Sequence, residues 1–176
     1  MERLRQLVGE MLIYCFVLVL ITGGFLAFHY TPSGELIPYT GAYEPLHGTM
    51  MTRAYDSLLT LSFDSPRGLL MRQLHAQFSA LLVAGTVVWA LLGRLRYVFA
   101  LVGLGLSLLG RFTGHGSADE YPTAVPIPLW YGLHLLAALA IAAILVVSAR
   151  REAAREPRTP GFIALGLGLT LLLIFW

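Results

Sequence analysis

Residues 68–93 read GLLMRQLHAQFSALLVAGTVVWALLG, and residues 127–149 read IPLWYGLHLLAALAIAAILVVSA. Each stretch is long and apolar enough for a helix to cross the hydrocarbon core of a bilayer, which takes roughly 20 residues. Each also carries one histidine within its apolar run, His75 in the first and His134 in the second. Three more stretches of this kind flank them, at about 8–31, 95–112 and 160–176. The fold class expected is therefore all-α: a polytopic membrane bundle of about five transmembrane helices, forming a single membrane domain over residues 1–176.

Composition agrees with this reading. The chain has 176 residues, 57% of them hydrophobic and 12% charged, with a mean hydropathy of +0.72. That is too little charge to cover a water-soluble globule. A net charge of +2, with its arginines scattered, also argues against nucleic acid as a partner. Cys15 is the single cysteine and lies in the first apolar run, so it reads as a small buried hydrophobe, and an intrachain disulfide or CxxC redox pair is excluded. The opening MERLRQ resembles the start of a signal peptide, but the apolar run continues to Phe28 without an A-x-A-like cleavage site and is expected to be retained as the first helix.

All twelve basic residues are arginine, and they set the orientation. With the N-terminus inside, the inner segments hold eight (Arg3, Arg5, Arg94, Arg96, Arg150, Arg151, Arg155, Arg158). The outer ones hold four (Arg53, Arg67, Arg72, Arg111). The excess predicts a cytoplasmic N-terminus and an external Trp176, in a membrane that is expected to be a bacterial inner membrane. The outer loop, about 32–67, is long and rich in Pro and Gly, a length usually tied to function or to a partner. Within it, residues 52–61 are expected to form a short amphipathic helix lying on the membrane surface.

An ionisable side chain at membrane depth is costly and so marks a functional position by default. Taken alone, either histidine is equally well a neutral side chain bonded to a neighbouring helix. The pair is more informative. Both helices start from the outer face, at Pro66-Arg67-Gly68 and at Pro126-Ile127-Pro128, and His75 and His134 follow Gly68 and Pro128 by seven and six residues. At 1.5 Å per residue each lies roughly 10 Å below the outer helix ends. Two imidazoles at matched depth on parallel helices suit the two axial positions of one haem iron. Arg72, one turn before His75 and nearer the outer interface, is placed to meet a propionate. Gly23 in the first helix lets backbone approach a flat macrocycle.

These residues resemble the cytochrome b subunit of bc- and bf-type complexes. Thr22-Gly23-Gly24-Phe25-Leu26-Ala27-Phe28-His29-Tyr30-Thr31-Pro32 is similar to that family's TG-x-x-LA-x-HYT stretch, and Ala54-x-x-Ser57 with Gly68-x-x-x-Arg72-x-x-His75-Ala76 to the entry of its second helix. Gly9 and Gly23 repeat its fourteen-residue glycine spacing. The likeness covers about 8–93 closely and 95–149 loosely, through His134. It implies that His75 and His134 hold the haem nearer the outer face, that Arg72 binds a propionate and that His29 stands near the haem edge. His47 and His115 read as solvated histidines.

The departures from the family pattern bear on function. Each ligand helix of the family carries a second histidine about fourteen residues on, and here those positions are Trp89 and Ser148. The Pro-Glu-Trp-Tyr motif of the family's outer quinol site is absent. The expectation is a mono-haem b-type electron-transfer subunit of a respiratory or photosynthetic redox complex, with one bis-histidine haem b near the outer face and no catalytic residues of its own. Its expected partners are membrane lipid, other subunits of the complex, and an extracytoplasmic cytochrome or iron-sulfur protein; quinone is a further candidate ligand. The competing readings are a structural or assembly subunit derived from the same fold and a small transporter, the latter disfavoured because no pore-lining ring of charge is visible.

Overall fold

The computed structural model describes residues 1–121 and 124–175, so the expectation for Trp176 lies outside the described residues. In chain order the elements are α1 (Glu2–His29), β1 (Leu36–Pro38), β2 (Met50–Thr52), α2 (Arg53–Asp64), α3 (Pro66–Leu92), α4 (Val98–Ser117), α5 (Ile127–Arg155) and α6 (Pro160–Phe175), with one 3-10 turn at Glu44–Leu46. Four helices, α1, α3, α4 and α5, are long and apolar enough to cross a membrane. The chain is an integral membrane protein built as an all-α bundle.

Helix α1 packs on α3, α3 on α4, α4 on α5, and α5 returns to α1, closing a four-helix bundle with α6 against the outside of α1. The element α6 stands where a fifth span is expected. Its 16 residues reach about 24 Å against a hydrocarbon core of about 30 Å. Helix α4 starts three residues later than expected and ends five later, at Ser117, and α5 continues six residues further, to Arg155, because both extend past the apolar core into polar ends.

Local chemistry explains the starts and turns. Ser65 caps α3 by accepting a hydrogen bond from the Gly68 N–H, and Pro66 takes a first-turn position whose N–H has no helical partner. Thr52 caps α2 in the same way through the Tyr55 N–H. Arg94 and Leu95, with φ of 52° and 55°, make the left-handed turn that reverses the chain between α3 and α4.

The interior is a ladder of apolar side chains, among them Leu12, Phe16, Val19, Phe78, Leu82, Trp89, Ile141 and Leu145. Buried polar groups pair across helices: Thr86 with Ser107 at 3.0 Å and Tyr97 with Ser148 at 2.8 Å. In lipid such bonds and close packing, rather than hydrophobic exclusion, hold helices together. Leu91, Leu136, Leu139 and Leu172 point outward, as a lipid-facing surface requires.

The amphipathic helix expected at 52–61 is present as α2, which packs on α3. The crossing is tight. A Cβ at Gly68 would lie 2.2 Å from the Leu61 carbonyl oxygen, so only glycine fits there. Ahead of α2, β1 and β2 form a small antiparallel hairpin (Leu36 opposite Thr52, Ile37 opposite Met51, Pro38 opposite Met50) over the fully buried Tyr39.

Candidate metal centre

Helices α3 and α5 do not neighbour one another around the bundle, yet they bring His75 and His134 together across its interior. The ring centroids lie 6.2 Å apart with an interplanar angle of 71°. Each ring is held through Nδ1. His75 Nδ1 lies 3.1 Å from Thr22 Oγ1 on α1, and His134 Nδ1 lies 2.8 Å from the Gly110 carbonyl oxygen on α4. The nitrogen left for a metal on each ring is therefore Nε2.

The outer two helices of the site close against these rings through glycines. A Cβ at Gly23 would stand 2.9 Å from His75 Cε1, and one at Gly114 would stand 3.2 Å from His134 Cε1. Thus α1 carries His75's hydrogen-bond partner and its steric clearance on consecutive residues, Thr22 and Gly23. On α4, Gly110 and Gly114, one turn apart, do the same for His134.

The donor set suits a haem and not a bare ion. Among the described residues no group of three or more His, Cys, Asp or Glu side chains converges to hold an ion. A porphyrin supplies four equatorial nitrogens and needs only two axial ligands from the protein. Two imidazoles sharing one metal at about 2.0 Å each have ring centres about 6 Å apart, the separation found here.

The other residues singled out from sequence are placed less centrally. Arg72, one turn above His75, donates from Nη1 to Ser62 Oγ on α2 at 3.1 Å. His29 bonds through Nδ1 to its own helix at the Phe25 carbonyl (2.9 Å) and packs on the Phe25 ring. It borders an open cleft of about 370 Å³ with Asp56, Ser57, Thr60, Leu61, Asp64 and Ser65. His47 and His115 are engaged elsewhere: His47 bonds to the Gly41 carbonyl, and His115 pairs with Glu120. Nearby, Tyr30 donates to the Ser117 carbonyl and ties the end of α1 to the end of α4. Burial, with Tyr131 and Asp119 beside it, raises the Tyr30 phenol well above its ordinary pKa, so it remains a neutral donor.

Fourteen residues further along the ligand helices the arrangement changes. Trp89 is wholly buried, its indole packed between Gly9 on α1 (a Cβ there would lie 3.4 Å from Nε1) and Gly103 on α4 (3.3 Å from Cζ3). Its Nε1 is the one buried side-chain nitrogen or oxygen without a hydrogen-bond partner among the described residues. Ser148 Oγ is engaged by the Tyr97 hydroxyl. The space remaining here is a cavity of about 10 Å³ bordered by Gln6, Glu10, Trp89, Ser148 and Glu152, room for about one water. Below it, Arg5 pairs with Glu152 at 2.9 Å and Arg158 with Glu10.

Thr22, Gly110 and Gly114 were not recognisable as site residues from sequence. Gly114 had a signal, since it lies one turn from Gly110 on a glycine-rich helix, but glycine is common in membrane helices. Thr22 opens the Thr-Gly stretch that carries the resemblance, but nothing in the sequence links it to His75.

No family model matches the chain. Among curated proteins it is similar to cytochrome b subunits of cytochrome bc1 complexes. The Streptomyces coelicolor protein is 37% identical over 115 residues, covering 61% of this chain and 21% of the relative. The Mycobacterium tuberculosis protein is 36% identical over 142 residues, covering 76% and 25%. The Corynebacterium diphtheriae protein is 32% identical over 146 residues, covering 77% and 26%. The chain thus spans only about a quarter of the length of the curated relatives it matches. These identities, over 61–77% of the chain, relate it to the cytochrome b family.

Proposed function

We propose that this chain is a mono-haem b-type electron-transfer subunit of a membrane redox complex, acting as a single membrane unit with its haem toward the outer face. The observation that carries the reading is the convergence of His75 and His134, ring centres 6.2 Å apart, each with Nδ1 already committed to a neighbouring helix. When bound, the haem supplies one-electron chemistry. The protein's share is to present two neutral imidazoles in fixed orientations and to exclude competing ligands from the apolar interior. With the haem bound, Arg72 would turn from Ser62 to a propionate, and Gly23 and Gly114 would leave the two imidazoles the clearance they need. His29, at the outer end of α1, would stand near the edge of a bound haem.

Support for one haem rather than two comes from the inner half of the bundle. There the indole of Trp89 fills the space between Gly9 and Gly103, and indole nitrogen has no lone pair to ligate iron. Ser148 is a poor haem ligand and its hydroxyl is already bonded. An electron reaching His75 and His134 therefore stays on the outer side unless another subunit takes it onward. The partners of this reading are an extracytoplasmic cytochrome or iron-sulfur protein, other subunits of the complex and quinone, with the N-terminus on the cytoplasmic side of a bacterial inner membrane. The test is substitution: His75→Ala and His134→Ala each abolish the low-spin reduced spectrum or convert it to high-spin, and His47→Ala does not. Loss of haem in the His47 variant with retention in the His75 variant would refute the assignment.

A further inference from the structure

We propose that Thr22 is the positioning residue that fixes His75 as a ligand, through a hydroxyl whose hydrogen-bond direction is dictated by its own helix. Thr22 is buried, and its Oγ1 lies 2.8 Å from the Leu18 carbonyl oxygen and 3.1 Å from that of Val19. Carbonyl oxygens only accept, so the hydroxyl proton belongs to them. What Oγ1 has left is lone-pair density, and 3.1 Å away on α3 is His75 Nδ1. In a neutral imidazole one nitrogen carries the hydrogen and the other the lone pair. Here the hydrogen must sit on Nδ1, and the lone pair on Nε2.

A threonine that bonds back to the carbonyl four residues earlier is common in membrane helices and by itself means little. The third contact, to a histidine on another helix, is what gives it a role. Gly23 supports it: the absent side chain at that position leaves the His75 ring room to approach α1 closely, where Thr22 can reach it. The two candidate ligands are consequently held by unlike acceptors. His134 meets a peptide carbonyl alone, and His75 meets the Thr22 hydroxyl, which one substitution can delete, with the Val19 carbonyl beside it. The hydroxyl is the contact on His75 that a side-chain change can reach.

This inference rests on the haem reading above, and the experiment separates the two. Thr22→Val keeps the shape and removes the acceptor; Thr22→Ser keeps the hydroxyl. Both are compared with the unaltered full chain and with His75→Ala in isolated membranes, reading haem retention against apomyoglobin, midpoint potential and the low-spin ferric EPR signal. The Val variant is expected to lose haem affinity by about 10–100-fold, the usual effect of deleting a partner of a ligating histidine. Its potential should rise, since a less basic ligand stabilises ferric iron less, and its EPR signal should broaden as the ring is freed. The Ser variant should restore all three. A Val variant indistinguishable from the unaltered chain, or a Ser variant as impaired as Val, overturns the proposal alone. A His75→Ala chain that keeps its low-spin haem overturns the ligand assignment and this proposal with it.

Discussion

Adding one methyl group at Gly23 tests the site's geometry without touching a ligand. A Cβ there would lie 2.9 Å from His75 Cε1 and 3.3 Å from Nδ1. Non-bonded carbons rest at about 3.5–4.0 Å, so the ring or α1 must shift by roughly 0.6 Å or more. The ring has little freedom to do so, because its Nδ1 is tied to Thr22 on the residue just before. Overpacking of this kind costs about 1–3 kcal/mol. If the strain falls on the ligand geometry, haem affinity drops by roughly 5–150-fold, since about 1.4 kcal/mol is tenfold. Gly24→Ala is the matched control, for a Cβ at Gly24 meets nothing within 4 Å. Haem per chain and the reduced absorption spectrum of each variant in isolated membranes provide the assay. Gly23→Ala with full haem content, or Gly24→Ala with an equal loss, would refute the reasoning.

Two further outcomes follow from neighbouring residues. Arg72→Ala is expected to leave haem bound but to lower its midpoint potential, because a nearby cation favours the electron-richer reduced state; a redox titration showing no change would make Arg72 a topology marker only. Trp89→Ala empties the space between Gly9 and Gly103 and should cost about 3–5 kcal/mol in detergent unfolding while haem at His75 and His134 is retained; a cost under about 1 kcal/mol would mean that the inner half is not packed around this indole.

Much of this architecture was legible in the sequence because hydropathy and charge report directly on membrane spans. The four spanning helices, α2 and the matched depth of His75 and His134 are all consequences of apolar run length, Pro starts and rise per residue. The hairpin of β1 and β2 was not legible: its strands are three residues each, and residues 39–49 between them carry none of the two-residue turn signals that mark a hairpin. The acceptors for the histidines were hidden for another reason. Gly110 acts through a backbone carbonyl, which every residue has, and Thr22 sits on a different helix from the ring it holds, so no spacing rule links position 22 to position 75. Arg72 is legible as an arginine one turn before His75 on α3, but its bond to Ser62 depends on where α2 crosses, a tertiary fact. Trp89 was read as the absence of a ligand; that it also fills the volume between two glycines emerged only from packing.

The most direct measurement is haem per chain, by pyridine haemochrome against quantified protein, on the purified full chain with its reduced-minus-oxidised spectrum. The account predicts a ratio near one with a low-spin b-type spectrum. A ratio near two would contradict the single outer site, and a ratio near zero would contradict the haem reading altogether and leave a structural subunit of the cytochrome b family.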